Sequence, residues 1–237
     1  MITAGAGQRT LTVDGASRTY AVVVPAGARA GVPLPLVFAW HGLGGSGRLA
    51  RMYFGVEAAA GAGAVFVYPD ALPLPSFGNR TGWDLRPEGP DLRFFDSMLE
   101  EVGKTSCVDL ARVFSTGHSF GGYMTNTLGC QRAKVLRAIA PVAGGLAGGA
   151  CQATPLPAWI AHASNDGVVP FAQGEAARDQ WTGASGCATT SHAVMPTPCV
   201  AFDSCRADAP VIWCVHTGNH AWPPFAGAAI WSFFAGR

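Results

Sequence analysis

The first residue that could do chemistry is a serine between two glycines. Ser119 is the central residue of GHSFG, residues 117–121, and the short apolar run Val113–Ser115 precedes it. A GxSxG sequence between a strand and a helix is typical of a sharp turn that exposes the serine hydroxyl. We predict that Ser119 is a nucleophile and that the backbone N–H of Phe120 faces the oxyanion formed in its attack on a carbonyl carbon. The alternative is a tight turn that carries a solvated serine.

A general base is predicted near the carboxyl end of the chain. His220 lies in the loop GNHAWP, residues 218–223, after the predicted strand Val211–Val215. A loop bounded by glycine, asparagine and proline allows an imidazole to extend over a nucleophile, and we predict that His220 takes the proton of the serine. His216 is the competing candidate, but it belongs to the strand, where packing is its simpler role.

The matching acid is predicted between the serine and the histidine. Asp166 lies in SNDGVVP, residues 164–170, directly after the predicted strand Trp159–Ala163. Ligands bind parallel sheets at the carboxyl ends of their strands, so this carboxylate is on the correct side. The chain order of serine, acid and histidine is that of α/β-hydrolases. We predict that Asp166 orients His220 in a catalytic triad with Ser119.

A second oxyanion donor is predicted in the glycine-rich turn HGLGGSG, residues 41–47. The turn follows the predicted strand Leu36–Trp40. We assign the donor to the backbone N–H of Leu43, and one such donor contributes on the order of 3 kcal/mol to transition-state stabilisation. His41 is predicted to be an orienting group at the substrate site rather than a base.

The same turn permits another class of function. Gly42, Gly44 and Gly47 fit the dinucleotide fingerprint G-x-G-x-x-G, and Asp70 follows at a suitable distance. A nicotinamide-dependent oxidoreductase is therefore an alternative, although it leaves Ser119 without a role. A binding module without catalysis is a further alternative. The sequence has no HExxH or other metal-ligand spacing, so we predict neither a metal nor a cofactor.

Alternating strands and helices must position these residues. Short apolar runs predict strands at Leu36–Trp40, Val65–Tyr68, Val113–Ser115, Ala138–Val142, Trp159–Ala163 and Val211–Val215, after an antiparallel pair at Arg9–Val13 and Arg18–Val24. Helical patterns cover Gly47–Ala60, Asp91–Val102, the residues after Gly121, Gly174–Trp181 and Phe225–Phe234. The order predicts an α/β fold with a mostly parallel central sheet and helices on both faces. These elements use nearly the whole chain, which leaves no room for a large cap domain.

One long segment interrupts the alternation. Ala71–Pro90 is rich in proline and glycine, and segments of this length in compact domains are usually functional or disordered. We predict that it forms a wall of the substrate pocket. Trp83 in this segment and Trp222 beside the predicted base are predicted to contact an apolar or aromatic substrate.

Bulk composition limits the partners. The chain has 237 residues, 16 basic and 15 acidic side chains, and no apolar run of membrane-spanning length. We predict one domain, residues 1–237, with no nucleic-acid or membrane partner. Seven cysteines without zinc-ligand spacing predict disulfides and an oxidising compartment, with one thiol left over. Met1–Thr12 has neither a basic start nor an apolar run, so no signal peptide is predicted there.

Five segments together resemble a known family. GHSFGGYMTN, HGLGGSG, GWDLRPEGPD, SNDGVVPF and GNHAWP are similar to segments of secreted esterases of the polyhydroxybutyrate depolymerase and feruloyl esterase type, grouped with carbohydrate esterase family 1. The resemblance implies the α/β-hydrolase fold, secretion, disulfides, the triad and the two oxyanion donors. It implies an ester substrate, which among members of the family is a feruloyl, acetyl or polyester group. A site without a large cap is open to a polymeric or polysaccharide-linked ester. Feruloyl or related plant cell-wall esters are the first expectation, and polyhydroxyalkanoate polyesters are the alternative.

Overall fold

A ten-stranded sheet dominates the fold. A computed structural model of the chain describes residues 4–147, 151 and 153–237. Met1–Thr12 is the segment in which no signal peptide is predicted, and its first three residues lie outside these ranges. The strands are β1 Gly5–Val13, β2 Ala16–Val24, β3 Leu34–Trp40, β4 Val65–Pro69, β5 Leu72–Leu74, β6 Arg80–Gly82, β7 Val108–His118, β8 Ala138–Val142, β9 Ala158–Ala163, β10 Ser191–Val194, β11 Cys199–Phe202 and β12 Val211–His216. Strands β5 and β6 form a separate hairpin, which we call the β5–β6 hairpin.

The central strands of the sheet are parallel. Its order is β1-β2-β4-β3-β7-β8-β9-β12-β11-β10. The six strands from β4 to β12 in this order pair in parallel, and antiparallel strands complete both edges. Every residue of β8 and β9 is buried, as expected of strands covered on both faces. The carboxyl ends of the parallel strands therefore meet along one edge, where β3, β7, β9 and β12 lead into the predicted site loops.

Helices cover both faces, as the sequence predicts. The helices are α1 Gly47–Tyr53, α2 Val56–Ala60, α3 Pro90–Thr105, α4 Phe120–Gln131, α5 Phe171–Ala184 and α6 Ala226–Ala235. Residues of α3, α4 and α5 pack into the apolar core on one face, and residues of α1, α2 and α6 pack into the core on the other. The two cores bury opposite sides of β3, because successive strand residues point to opposite faces. The α/β prediction is confirmed, and the described residues contain no separate cap.

Two predicted segments differ in detail. The helix predicted over Gly47–Ala60 is divided into α1 and α2, because Gly55 between them has a φ of 67°. This left-handed conformation is readily adopted by glycine and interrupts a helix. The segment Ala71–Pro90 is more ordered than predicted, since it contains the β5–β6 hairpin with a short 3-10 turn, Pro75–Phe77.

Disulfides join six of the seven cysteines. The bonds are Cys130–Cys151, Cys187–Cys205 and Cys199–Cys214, with sequence separations of 21, 18 and 15 residues. Cys107 is a free, half-buried thiol. The disulfide prediction is confirmed, and two of the bonds lie around the antiparallel edge formed by β10, β11 and β12. No helix within the described ranges combines the length and apolarity needed to cross a membrane.

Candidate active site

The site is built around a strained turn between β7 and α4. Ser119 occupies this turn with φ 58° and ψ −120°, a backbone conformation that side-chain-bearing residues rarely adopt. The turn is packed tightly against β3: a Cβ at Gly121 would lie 1.9 Å from the carbonyl oxygen of Trp40. The glycines of the GxSxG sequence are therefore required by sterics, and the turn presents the serine hydroxyl at the edge of the sheet.

The structure brings Ser119, His220 and Asp166 into one hydrogen-bonded chain. Nε2 of His220 lies 2.8 Å from Oγ of Ser119, and Nδ1 lies 2.7 Å from Oδ2 of Asp166. The histidine and the aspartate follow β12 and β9, which are adjacent parallel strands. In this arrangement Nδ1 donates to the carboxylate, and Nε2 is free to accept the serine proton. The geometry suits general-base activation of the hydroxyl.

The carboxylate of Asp166 is held in its ionised form. Its side chain is fully buried, and Oδ1 accepts hydrogen bonds from the amides of Val168 at 2.8 Å and Val169 at 2.9 Å. Burial raises the pKa of Asp166, but the hydrogen bonds from His220 and these two amides outweigh burial and leave the pKa below its usual value. The negative charge thus persists next to the imidazole.

The loops that carry Asp166 and His220 are joined to each other. The amide of Asn219 donates to Oδ1 of Asn165 at 2.9 Å, and the amide of Gly167 donates to Oδ1 of Asn219 at 2.9 Å. The amide of Ser164 donates to the carbonyl oxygen of His216 at 2.8 Å. His216 therefore belongs to the support of these loops: its Nδ1 accepts from the amide of Gly218 in the same loop.

The two predicted oxyanion donors lie beside the serine. Leu43 and Phe120 both line the cleft that contains Ser119. A Cβ at Gly42 would be 3.2 Å from Cβ of Ser119, so the glycine turn passes directly over Ser119. Across the described part of the chain, neither the Leu43 nor the Phe120 amide donates to a protein acceptor, whereas the Ser119 amide donates to the carbonyl oxygen of Val142 at 2.9 Å.

The ring of His41 supports the glycine turn and is not hydrogen-bonded to Ser119. Its ring is buried, with Nδ1 donating to the carbonyl oxygen of Gly42 at 2.7 Å and Nε2 accepting from the amide of Ala71 at 3.1 Å. Burial lowers the pKa of His41, which keeps the ring neutral and able to accept at Nε2. This agrees with an orienting role.

The dinucleotide interpretation of the turn is not supported. In that motif the helix after the turn binds a phosphate at its N-terminus. Here the amide of Gly47, at the start of α1, donates to Oδ1 of Asp70 at 2.8 Å. The aspartate expected to bind a ribose therefore occupies the position that a phosphate would need.

An open, apolar cleft of about 560 Å³ lies over Ser119. Its outer wall includes Leu49, Tyr53, Phe77 and Val168, which are exposed large hydrophobic residues. The remaining lining residues are His41, Gly42, Leu43, Gly44, Gly45, Arg80, His118, Ser119, Phe120, Tyr123, Val169 and His220. Phe77 and Arg80 come from Ala71–Pro90, so this segment supplies a cleft wall, as the sequence predicts.

Sequence reasoning missed the role of His118. Its ring stacks on His220 with centroids 5.1 Å apart, and its Nδ1 lies 3.1 Å from the hydroxyl of Tyr53. Burial lowers the pKa of His118 to about 3, with the neighbouring His220 acting in the same direction. A neutral ring therefore packs against the predicted base. Only its position next to the serine in GHSFG could have indicated this contact.

The structure corrects the prediction that two tryptophans line the substrate site. Trp83 is 1% exposed and packs edge-on against Trp40 with centroids 5.0 Å apart, because its large ring fills the core behind the glycine turn. Trp222 stacks on Phe54 with centroids 4.0 Å apart and lies behind His118. Neither indole lines the cleft. No group of three or more His, Cys, Asp or Glu side chains suited to a metal occurs among the described residues.

Comparisons with known proteins identify the family. No protein-family model matches the chain. The chain is 32% identical to feruloyl esterase D of Neurospora crassa over 254 aligned residues, which span 95% of this chain and 84% of that protein. It is 30% identical to feruloyl esterase C of Emericella nidulans, with 97% and 90% covered. An acetyl xylan esterase from Aspergillus awamori shares the fold, with a TM-score of 0.73, 16% identity, and 96% and 99% covered.

These similarities agree with the resemblance carried by the five sequence segments. The solved structure supports the fold alone, since its identity is low, whereas the curated relatives are similar over nearly the whole chain. The expected ester-hydrolase class is confirmed, and the oxidoreductase and binding-module alternatives find no support. The chain belongs to the feruloyl esterase family and is a carboxylic ester hydrolase with the α/β-hydrolase fold.

Proposed function

We propose that this protein hydrolyses feruloyl or related plant cell-wall esters through an acyl-enzyme on Ser119. The observation that carries the proposal is the hydrogen-bonded chain from Oγ of Ser119 through His220 to Asp166 at the floor of an open apolar cleft. The names of the related feruloyl esterases support the choice of substrate.

In the first half of the reaction, Oγ of Ser119 attacks the ester carbonyl carbon while its proton passes to Nε2 of His220. Asp166 accepts from Nδ1 and stabilises the imidazolium that forms. The amides of Leu43 and Phe120 donate to the oxyanion of the tetrahedral intermediate. The intermediate collapses, the bond to the alcohol oxygen breaks, and the alcohol leaves with the proton held by His220.

In the second half, water replaces the alcohol. His220 takes a proton from the water, the hydroxide attacks the acyl carbon, and collapse of the second intermediate returns the proton to Oγ of Ser119. The carboxylic acid is released and the triad is restored. No further reactant is needed, since water supplies both the oxygen and the protons of the products.

The walls of the cleft favour a substrate with an apolar acyl group. Tyr53 and Phe77 offer aromatic faces, and Leu49 and Val168 extend the apolar surface. Flat aromatic groups bury a large apolar area against such side chains. The cleft is open, so an ester attached to a polysaccharide can approach Ser119 without passing beneath a cap. We therefore propose a polysaccharide-linked ester as the substrate.

Paired substrates test the proposal directly. We expect methyl ferulate to be hydrolysed and Ser119→Ala to lose nearly all turnover while it retains its fold. A hydroxybutyrate oligomer should be the poorer substrate. Preference for the oligomer would instead assign the cleft to polyesters, and full activity of Ser119→Ala would refute the nucleophile.

The proposed site of action is outside the cell. Three disulfides join six cysteines, and such bonds persist in oxidising compartments. Fractionation of cultures of the source organism tests this, because a secreted enzyme is recovered in the medium. Recovery of the protein only from the cytosol, with reduced thiols, would contradict the proposal.

A further inference from the structure

The glycine turn that contains Leu43 accepts and donates hydrogen bonds to one short segment, residues 80–83, which we call the brace. The four hydrogen bonds are Trp83 Nε1 to the His41 carbonyl oxygen at 2.8 Å, Arg80 Nη2 to the Leu43 carbonyl oxygen at 3.1 Å, Gly44 N to the Thr81 carbonyl oxygen at 2.7 Å, and Thr81 Oγ1 to the Gly45 carbonyl oxygen at 2.7 Å. The turn is thus held between His41 and Gly45 from one side.

The turn needs external support because of its composition. Three of the five residues from 41 to 45 are glycines, and Gly44 has a φ of 76°. Glycine loses more conformational freedom on folding than any other residue, so the backbone of such a turn is flexible unless contacts restrain it. An oxyanion donor is effective only when it already points at the position of the oxyanion. Without such contacts, the Leu43 amide would point away from the position of the oxyanion for part of the time.

The bonds of the brace flank the Leu43 amide. That N–H shares a peptide plane with the carbonyl of Gly42, which accepts from Nδ1 of His41. The carbonyl before this plane, on His41, is held by Trp83, and the carbonyl after it, on Leu43, is held by Arg80. The orientation of the amide is therefore determined by restraints on both sides.

The hairpin also contacts the second donor residue. The ring of Phe77 lies 5.3 Å from the ring of Phe120. A Cβ at Gly82 would lie 2.7 Å from Cε1 of Phe120 and 3.0 Å from Cδ1 of Leu43, so the backbone of β6 packs directly on both side chains. One structural element thus touches the two residues whose amides form the proposed oxyanion hole.

We propose that the brace aligns the oxyanion hole, with Arg80, Thr81 and Trp83 as positioning residues for the Leu43 amide. This inference rests on the proposed role of Leu43 as an oxyanion donor. The brace acts on the transition state, because the oxyanion exists only after the serine has attacked. It therefore contributes to kcat rather than to binding of the intact ester.

The decisive comparison is Thr81→Val with Thr81→Ser. Valine keeps the shape of threonine and removes the hydroxyl that donates to Gly45, whereas serine keeps the hydroxyl. We expect Thr81→Val to lower kcat on methyl ferulate about tenfold with KM within about twofold of wild type, which is the pattern of an interaction made only in the transition state. Thr81→Ser should restore most of the lost kcat. Ser76→Ala, on the same hairpin outside the brace, is the control and should match wild type.

A second readout separates positioning from simple loss of structure. A boronic acid forms a tetrahedral adduct with a serine nucleophile, and ferulate is the planar product. We expect Thr81→Val to weaken boronate binding by the same factor as kcat, with ferulate binding and the thermal unfolding midpoint near those of wild type. Equal weakening of boronate and ferulate, or wild-type kcat in Thr81→Val, would overturn the inference.

The outcome for wild type distinguishes this inference from the function on which it rests. If wild-type protein shows no release of ferulate and no acyl-enzyme burst, the proposed function fails. If wild type is active and the Thr81 variants do not differ from it, only the role of the brace fails.

Discussion

Gly121 and the carbonyl oxygen of Trp40 are so close that a Cβ at position 121 would lie 1.9 Å from that oxygen. The contact joins the start of α4 to the end of β3, and it determines how tightly the turn at Ser119 can bend. Neither backbone can withdraw without displacing the serine or the glycine turn after β3.

Gly121→Ala is therefore expected to abolish the site. Relief of the clash must move the α4 start or β3, and a displacement of about 1 Å at the reacting atoms costs on the order of a hundredfold in rate. We expect at least that loss of kcat/KM, together with a lower unfolding midpoint. Gly183→Ala on α5 is the control, because a Cβ there meets nothing within 4 Å. Wild-type activity in Gly121→Ala would contradict the close contact.

Substitutions of His216, the last residue of β12, and of His220, in the loop after it, should have very different effects on activity. His220→Asn removes the group that bridges Ser119 and Asp166, so kcat should fall by about a thousandfold or more. His216→Asn keeps an acceptor for the amide of Gly218 and should retain most of the activity. Steady-state kinetics on methyl ferulate test both variants. A large loss in His216→Asn and a small loss in His220→Asn would reverse the assignment.

Acid should destabilise the fold through buried neutral histidines. The unfolded chain protonates His118 below about pH 6.5, whereas burial lowers the pKa of His118 in the folded chain to about 3. Between these values the unfolded state binds more protons, so the free energy of unfolding falls as pH falls. One such histidine contributes about 1.4 kcal/mol per pH unit.

His118→Asn tests that slope. In denaturant titrations, the free energy of unfolding of the variant should fall less than that of wild type between pH 7 and pH 4. The pKa values of His41 and His162 are also lowered, and these two histidines contribute to the slope in both proteins. Identical slopes for wild type and His118→Asn would show that the ring is not neutral in the folded protein.

The disulfide between β11 and β12 should stabilise the sheet edge. Cys199 and Cys214 face each other across these antiparallel strands and enclose a separation of 15 residues. Replacing both by alanine should cost about 3 kcal/mol and lower the unfolding midpoint by roughly 6–12 °C. Cys107→Ser, at the free thiol, is the control and should change the midpoint little. An unchanged midpoint in the double variant would refute the stabilising role.

The wall formed by Phe77 should select for aromatic acyl groups. The ring of Phe77 is exposed in the cleft and packs against the ring of Phe120. Phe77→Ala should lower kcat/KM for methyl ferulate about five- to tenfold through lost apolar contact, with a smaller effect on an acetyl ester. Met195→Ala, at an exposed position outside the cleft, is the control. Equal losses of kcat/KM on both esters would contradict the selection for aromatic acyl groups by Phe77.

Much of this architecture could be predicted from local sequence. The apolar runs after which Ser119, Asp166 and His220 appear are buried parallel strands, and strands of this kind leave a strong pattern because both faces are covered. Loops at the carboxyl ends of such strands converge by topology. The proximity of three residues far apart in the chain was therefore predictable without knowledge of any contact.

Other features depend on packing that no local pattern encodes. A tryptophan in a proline- and glycine-rich segment can face solvent, substrate or core, and Trp83 faces the core because the indole N–H finds the carbonyl of His41 there. The pairing of six cysteines depends on strand register, as Cys199 and Cys214 show. Gly55 could equally have continued a helix, and only its left-handed backbone separates α1 from α2.

The hydrogen bonds from the amide of Asn219 to Asn165 and from the amide of Gly167 to Asn219 have a mechanical consequence. They join the loops of Asp166 and His220, the proposed acid and base, whereas Ser119, the proposed nucleophile, belongs to a different turn packed on β3. If the Ser119 turn moved relative to these loops, the distance between Ser119 and His220 would change before the distance between His220 and Asp166, which lie on hydrogen-bonded loops. The imidazole would then keep its orientation toward Asp166.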